Sequence, residues 1–259
     1  MDLADCNLAG AGVLVTRAAH QADGLCKLIA EVEGRPLPLP ALEISSPRQT
    51  GPLRRLLADI ERFDMAIFVS VNAVHWGLNY LSGRQLPEIR IAAVGRATAH
   101  ALAASGHSVA VVPRQGFDSE ALLAAAELSA AAVTGKRIII FRGEGGRELL
   151  GETLSRRGAL VEYAEVYRRS CPAPVGDLGR ASWINHLDVV TATSNAILDN
   201  LFTLFGAAQR ERLQRTPLVV ISKRMRDYAH TLGCQQVVVA AGPDDRAIVE
   251  AICSWISGK

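Results

Sequence analysis

The sequence contains the same architecture twice, and this duplication restricts the possible folds more than any other feature of the chain. IAAVGRATAHALAASG (residues 91–106) aligns without a gap on LVVISKRMRDYAHTLG (residues 218–233), and a valine-rich run follows each segment. VLVTR (residues 13–17) likewise corresponds to IIIFR (residues 138–142). Such a repeat indicates two copies of one arrangement, each of roughly 125 residues, which is an ordinary domain size.

Shorter matches fall in the same order. SVNAV (residues 70–74) corresponds to TSNAI (residues 193–197), and the helix after the first strand is followed by Gly34 in one half and by Gly158 in the other. The halves close on GFDSEALLAAA and GPDDRAIVEAI, which predict a turn and a helix whose first turn is capped by an aspartate. The predicted caps are Asp118 and either Asp244 or Asp245.

Short apolar runs alternate with amphipathic helical patterns along both halves. Nearly continuous Val, Ile and Ala runs are typical of strands covered on both faces, and regular alternation of strand and helix predicts parallel sheets. The predicted fold class is therefore α/β. The predicted strands are residues 13–16, 65–70, 91–94, 109–112, 137–141, 189–193, 218–221 and 237–240.

Two extended segments, residues 36–44 and 161–174, occupy the same place in the repeat. The prolines of the first segment exclude a helix there. If each strand crosses between lobes, the two form a double linker about which the lobes move as a hinge. The predicted domains are a discontinuous first lobe of residues 1–36 and 172–259, a second lobe of residues 43–165, and linkers at residues 37–42 and 166–171.

Composition excludes several classes of function. The 28 basic and 26 acidic residues nearly balance, which disfavours binding to nucleic acid or to a membrane surface and leaves an anionic ligand to local groups. The five cysteines lack a CxxC pair, and their odd number argues against a disulfide framework and for a reducing cytoplasm. No signal peptide and no apolar run of membrane-spanning length is recognisable, so we expect a cytoplasmic protein.

The predicted strands end in turns rich in small, hydroxylated and basic residues. In parallel sheets, ligands bind beyond the carboxyl ends of the strands, where helix N-termini direct free N–H groups outward. Six such turns, from two lobes facing one cleft, predict an anion-binding surface; at any single turn, the alternative is a residue that only caps its helix. The candidate ligand-contacting residues are Arg17, Ser70, Asn72, Thr98, Arg142, Gly143, Gly145, Gly146, Arg147, Thr193, Ser194, Asn195, Ser222 and Lys223.

The glycine-rich turn after residue 142 resembles the beginning of a dinucleotide-binding fingerprint. The third glycine position of that fingerprint is Glu148, whose carboxylate would face a pyrophosphate, and GxxxxGK[ST] does not occur in the sequence. Nucleotide binding is therefore not predicted. The turn is either a flexible connection or an anion-binding nest flanked by Arg142 and Arg147.

Side-chain catalysis has one candidate. The six histidines show no HExxH or paired-ligand spacing, and no GxSxG occurs, so we predict neither a metal site nor a serine nucleophile. Tyr167 lies in the extended segment VEYAEVYRR, where alternation predicts that it shares a strand face with Tyr163 and Glu165. Its phenol can donate a proton to a leaving hydroxyl. The alternative is a tyrosine that only packs at the lobe junction.

Taken together, these motifs resemble the uroporphyrinogen-III synthase family over residues 13–252. The most specific stretch is residues 137–169, which contains IIIFRGEGGRELLGETLSRRGALVEYAEVYRR. It is supported by FVSVNAV, AVGRATAHAL and VVISKRMRDYA. The resemblance implies two flavodoxin-like lobes joined by a two-strand β-ladder. It also implies a cyclising hydro-lyase that closes hydroxymethylbilane into uroporphyrinogen III, with inversion of ring D, loss of water and no cofactor. A monomer that receives its anionic tetrapyrrole substrate in a transient hand-off from hydroxymethylbilane synthase is expected.

The resemblance also assigns roles to single residues. Tyr167 matches the family tyrosine thought to assist loss of the hydroxyl, and Thr98 matches a threonine in the VGxxTA turn. The sequence departs from the family at the second such turn, where Ser222 and Lys223 stand near the missing threonine and are predicted to replace it as anion contacts. The predicted substrate turns contain Ser70 and Asn72 in one half and Thr193 and Ser194 in the other.

Two other functions remain open at this point. A non-catalytic bilobal protein of the same fold would act as a sensor of an anionic metabolite. A nucleotide-dependent α/β enzyme is the other alternative, and Glu148 and the missing phosphate-loop lysine argue against it.

Overall fold

The chain divides into two units, Met1–Glu43 with Ser170–Lys259, and Ile44–Arg169. The computed structural model describes residues 3, 6–81, 86, 88–116, 118–173 and 185–258. Its elements, in chain order, are β1 Gly12–Val15, α1 Asp23–Glu31, β2 Arg35–Pro38, β3 Glu43–Ser45, α2 Thr50–Ala58, β4 Met65–Phe68, α3 Val71–Tyr80, β5 Arg90–Ala93, α4 Arg96–Ala104, α5 Ser119–Leu123, α6 Ala130–Val133, β6 Arg137–Gly143, α7 Leu149–Arg156, β7 Leu160–Ser170, β8 Val189–Ala192, α8 Asn195–Arg215, β9 Leu218–Val220, α9 Lys223–Thr231, β10 Val237–Val239 and α10 Asp245–Ser257. Short 3₁₀ turns cover Ala19–Gln21, Ile60–Arg62 and Ala126–Leu128.

Each unit is built on one five-stranded sheet. The strand order is β10-β9-β8-β1-β2 in the first unit and β3-β7-β6-β4-β5 in the second. Neighbouring strands are parallel from β10 through to β2 in the first sheet, and from β7 through to β5 in the second. The predicted α/β class with parallel sheets is therefore confirmed.

Helices cover both faces of each sheet, which explains the continuous apolar strand sequences. In β6, Ile138 and Ile140 belong to one buried hydrophobic cluster, whereas Ile139 and Phe141 belong to another. β1 shows the same alternation, because Leu14 lies in a different cluster from its two neighbouring valines. Since successive side chains of a strand point to opposite faces, a strand buried on both faces must be apolar at every position.

Seven of the eight predicted strands form strands of the two sheets. The eighth, residues 109–112, is wrong as a strand. Only Val111 pairs there, through an isolated parallel bridge to Ala92 at the edge of the second sheet. A segment at a sheet edge can place apolar side chains in the core without forming a continuous hydrogen-bond ladder. Such a segment has the composition of a strand although it is not one.

The gapless part of the repeat is confirmed by the backbone. Gly95 and Ser222, which align in the sequence, are the N-cap residues of α4 and α9. Gly106 and Gly233, eleven residues later, both have left-handed φ angles, of 83° and 89°. The corresponding helices therefore begin and end at equivalent residues.

Two shorter matches are wrong by one residue. Ser70 and Ser194 are the N-caps of α3 and α8, so Ser70 corresponds to Ser194 and not to Thr193. In the other match, Glu33, with a φ of 59°, occupies the left-handed position that Gly158, with a φ of 89°, occupies in the second unit. The left-handed residue that ends each helix therefore pairs Glu33 with Gly158, whereas the sequence match pairs Gly34 with Gly158.

The two predicted aspartate caps are confirmed. The side chain of Asp118 accepts a hydrogen bond from the backbone N–H of Ala121, and that of Asp244 accepts one from Ala247. Asp244, rather than Asp245, is therefore the cap of α10. The carboxylate of Asp245 instead binds the guanidinium of Arg17.

The cysteines correct one expectation. Cys6 and Cys253 form a disulfide whose Cα atoms lie 5.8 Å apart, although 247 positions separate the two residues in sequence. Both pack in the same hydrophobic cluster of the first unit, which brings the two distant segments together. Because disulfides are uncommon in reducing compartments, the cysteines do not support the prediction of a cytoplasmic location. The free cysteines are Cys26, Cys171 and Cys234.

Among the described residues, no helix combines the length and the hydropathy that crossing a bilayer requires.

Gly158 should tolerate alanine poorly, and Gly51 provides a matched control in the same unit. At Gly158 the φ is 89° and an added Cβ would lie 3.1 Å from Thr134 Oγ1, so Gly158→Ala should cost about 1–2 kcal/mol of stability. At Gly51, in the first turn of α2, the nearest atom lies 4.0 Å from such a Cβ, and Gly51→Ala should stabilise by about 0.5–1 kcal/mol. Urea unfolding midpoints of the two variants test this, and equal midpoints would contradict it.

Candidate active site

The second unit has a pocket of about 350 Å³ at the carboxyl ends of β4, β6 and β7. Parallel pairing aligns these strand ends, so that the residues that follow each strand meet at one edge of the sheet. Ser70 follows β4, the glycine-rich turn follows β6, and Tyr167 lies near the end of β7. The polar and aromatic side chains of the pocket wall include Ser70, Arg142, Arg147, Tyr163, Tyr167 and Arg169.

Tyr167 is buried, with 1% of its surface exposed, and its hydroxyl lies at the pocket. The Oη atom is 3.2 Å from Ser70 Oγ, and an Nη2–H of Arg169 donates to it over 3.1 Å. The ring packs directly on Gly143, where an added Cβ would lie 2.7 Å from Cε2 of the ring. Only glycine leaves this space, so residue 143 determines how closely the phenol approaches the turn.

The predicted strand face of Tyr167 is wrong, because β7 contains a bulge. Arg142 pairs with Glu165, but the next residue, Gly143, pairs with Tyr167, so that Val166 is an extra residue. The extra residue reverses the alternation, and Tyr167 enters the hydrophobic cluster on one side of the sheet while Tyr163 packs against the cluster on the other.

Arg142 fixes the shape of the glycine-rich turn. Its buried guanidinium donates to Glu148 and to Glu165, both over 2.9 Å, and its centre lies 3.6 Å from the ring centroid of Tyr163. A further N–H donates to the backbone oxygen of Gly146 over 3.3 Å. One cation and two carboxylates thus connect the turn to β7.

These contacts shift three pKa values. Burial alone would lower the pKa of Arg142, but its hydrogen bonds and its attraction to Glu148 and Glu165 outweigh burial and raise it. The bond from Arg142, followed by one from Tyr163, lowers the pKa of Glu148. Burial, reinforced by Glu148, raises the pKa of Tyr163 to about 12. At neutral pH the cluster therefore holds a charged Arg142, a charged Glu148 and a neutral Tyr163.

The other predicted arginines also have carboxylate partners. Arg147 contacts Glu120 over 2.6 Å at the surface. In the first unit, Arg17 contacts Asp245 and also donates to the backbone oxygen of Pro243 over 2.8 Å. An arginine that is already paired must exchange or share its partner to hold a carboxylate of a ligand.

All three predicted serines are helix caps, as the alternative interpretation proposed. The Oγ atoms of Ser70, Ser194 and Ser222 accept hydrogen bonds from the third following residue, over 3.1, 3.2 and 3.3 Å. Capping uses an acceptor lone pair and leaves the hydroxyl proton free to donate. A cap can therefore also be an anion contact.

The structure brings the predicted residues together in two groups, one at the carboxyl edge of each sheet. In the second unit, Ser70, Asn72 and Thr98 lie in or next to the first turns of α3 and α4, and Thr98 is buried. In the first unit, the residues follow β1, β8 and β9, which are adjacent strands. This group consists of Arg17, Thr193, Ser194, Asn195, Ser222 and Lys223.

The sequence analysis missed Arg169, which donates to the Tyr167 hydroxyl. A signal for it was available, because residues two apart in a strand point to the same face. In the described part of the chain, no three His, Cys, Asp or Glu side chains lie close enough together to hold a metal ion.

Comparison with known proteins shows what the chain is similar to. A family model described as uroporphyrinogen-III synthase HemD matches residues 23–250. The uroporphyrinogen-III synthase of Salmonella typhimurium strain LT2 is 34% identical over 254 residues, covering 93% of this chain and 99% of the relative. The uroporphyrinogen-III synthase of Escherichia coli K12 is 32% identical over 245 residues, with the same coverage of 93% and 99%.

Solved structures of low identity show the same fold. Uroporphyrinogen-III synthetase from Helicobacter pylori 26695 matches with a TM-score of 0.64 at 18% identity, over 95% of this chain and 99% of that one. A mutant uroporphyrinogen III synthase from the extremely thermophilic bacterium Thermus thermophilus matches with a TM-score of 0.61 at 16% identity, over 96% and 100%. The resemblance inferred from the motifs is confirmed, and the chain belongs to the uroporphyrinogen-III synthase family.

Proposed function

We propose that this protein is a uroporphyrinogen-III synthase, which closes hydroxymethylbilane into uroporphyrinogen III with inversion of ring D and loss of water. The observation that carries the proposal is the identity of 34% with a relative of that name, over 93% of this chain and 99% of the relative. No comparison supports the alternative of a non-catalytic sensor.

The chemistry of the substrate suits the two groups of strand-end residues. Hydroxymethylbilane carries eight carboxylates, and free N–H groups at helix N-termini, together with hydroxyls that still have a proton to donate, are suitable contacts for them. The proposed contacts in the first unit are Arg17, Thr193, Ser194, Asn195, Ser222 and Lys223. Those in the second unit are Ser70, Asn72, Thr98, Arg142, Gly143, Gly145, Gly146 and Arg147.

Within the second group, the geometry favours different roles for the two arginines. The side chain of Arg142 is 8% exposed and binds two carboxylates, whereas that of Arg147 is 66% exposed and binds one. Exchanging an exposed partner costs little, because a surface ion pair is worth about 0–1 kcal/mol. We therefore propose Arg147 as the direct carboxylate contact and Arg142 as the residue that holds the turn in shape.

Tyr167 is the proposed proton donor. Its phenol gives a proton to the hydroxymethyl oxygen, the C–O bond breaks, and its electron pair leaves with water. The pyrrole N–H loses its proton to complete the azafulvene, and that proton restores the phenol. Tyr167 lines the pocket although only 1% of its surface is exposed, and its hydroxyl is bonded to Ser70 and Arg169 of the same pocket wall. The donor is therefore held rigidly, which favours proton transfer to a substrate bound there.

A cytoplasmic location, a monomeric state and a transient hand-off of substrate from hydroxymethylbilane synthase are further proposals. They follow from the family resemblance.

The proposed function predicts which product forms, because a free bilane also closes spontaneously, without rearrangement, to the type I isomer. The purified protein, given hydroxymethylbilane without added metal, nucleotide or flavin, should yield mainly the type III isomer. Binding must fold the flexible chain so that its reacting ends meet at a hindered carbon. Chromatography of the oxidised products separates the isomers. Type I alone at every enzyme concentration would overturn the proposed function, and type III only with an added cofactor would overturn the mechanism.

The proposed proton donor predicts that Tyr167→Phe lowers kcat about ten- to a thousandfold, the loss expected when general-acid help is removed. The buried ring remains, so the protein should still fold, with a loss of about 1 kcal/mol for the missing hydrogen bonds.

Tyr228→Phe is the matched control. The Tyr228 hydroxyl donates to the Asp199 carboxylate in the first unit, so its removal also deletes one phenol hydrogen bond, away from the pocket. This variant should keep wild-type kcat. If Tyr167→Phe kept it as well, Tyr167 would have only a packing role.

A further inference from the structure

The hydroxyl of Tyr167 has two hydrogen-bond partners, and one of them can only donate. We propose that Arg169 is a positioning residue, which orients the Tyr167 phenol for proton transfer and stabilises the charge that the transfer leaves behind. This inference rests on the proposed function and adds to it a residue that is not among the candidates named from the sequence.

The donor pattern determines the orientation. A guanidinium has only donors, so the Tyr167 Oη atom must be the acceptor of the 3.1 Å bond from Arg169. Ser70 Oγ, 3.2 Å away on another side, already accepts the N–H of Ala73 as a helix cap. With one lone pair of Oη bound by Arg169, the O–H bond points away from the guanidinium, towards Ser70 or a substrate in the pocket.

The charge of Arg169 is available for this task. Arg142 is neutralised by Glu148 and Glu165, and Arg147 by Glu120. Among the described residues, no carboxylate pairs with Arg169, whose guanidinium instead lies 5.6 Å from the Tyr167 ring centroid. A phenol that has given up its proton becomes a phenolate, and the bond from Arg169 then becomes charge-assisted on both sides.

A competing role for Arg169 is to bind a substrate carboxylate directly, since it lines the same pocket. The two roles differ in kinetics. A residue that acts through Tyr167 changes kcat and has no effect once the phenol is gone, whereas a substrate contact changes KM whether or not the phenol is present.

The experiment is a double-mutant cycle that measures kcat, KM and the isomer ratio for wild type, Arg169→Gln, Tyr167→Phe and the double variant. Arg168→Gln is the control, because alternation places that neighbouring side chain on the other face of β7. Arg169→Lys, which keeps the charge but not the planar fork, tests partial rescue. Urea midpoints of all variants report on folding.

We expect Arg169→Gln to lower kcat about 10- to 100-fold, as for the loss of one hydrogen bond to a charged group, with KM changed less than about twofold and no further loss in the Tyr167→Phe background. Arg169→Lys should regain part of kcat, and Arg168→Gln should resemble wild type.

The positioning role would be overturned if Arg169→Gln lowered kcat equally in both backgrounds, or if it raised KM and left kcat unchanged. The proposed function would still stand in either case, provided that the wild type forms the type III isomer. A wild type that forms no type III isomer would overturn both. If Arg169→Gln lowered the urea midpoint strongly, the cycle would be measured with Arg169→Lys, alone and combined with Tyr167→Phe. An equal loss of kcat from Arg169→Lys in both backgrounds would also overturn the proposal.

Discussion

The contact between the ring of Tyr167 and the backbone of Gly143 determines the geometry of the candidate active site. The bulge at Val166 turns Tyr167 to the face on which Gly143 lies, and the missing side chain at residue 143 leaves room for the ring. The hydroxyl then reaches Ser70 and Arg169 at the carboxyl edge of the sheet. Without the bulge, the same tyrosine would project from the opposite face of the sheet, away from Ser70 and from the side of Gly143 that now receives its ring.

The arginines around this contact differ in burial and in the number of carboxylates that they bind. The buried Arg142 holds two carboxylates and the turn backbone, and this pairing keeps a guanidinium charged where burial alone would disfavour its charge. Breaking a buried pair is costly, whereas an exposed pair such as Arg147 with Glu120 is exchanged easily. The structure thus separates a buried cation, which holds the glycine-rich turn, from an exposed cation whose partner is easily exchanged.

The sequence predicted the fold well because its signals are local. Valine- and isoleucine-rich runs indicate doubly covered strands, and Asp118 and Ser70 cap helices through contacts only three residues away. The bulge could not be predicted, since Val166 and Tyr167 are both acceptable on a buried face and only the partner strand reveals the extra residue. The partners of Arg142 and the disulfide between Cys6 and Cys253 likewise depend on distant segments that the fold brings together.

The most direct test of this account is the turnover of Gly143→Ala, compared with Tyr167→Phe and the double variant. The added Cβ would lie 2.7 Å from Cε2 and 3.2 Å from the Tyr167 hydroxyl oxygen, so the phenol must move from its partners. A shift of about 1 Å is enough to lower turnover by about a hundredfold. We expect a kcat for Gly143→Ala close to that of Tyr167→Phe, with little further loss in the double variant. Wild-type kcat and a wild-type proportion of type III product in a folded Gly143→Ala protein would contradict it.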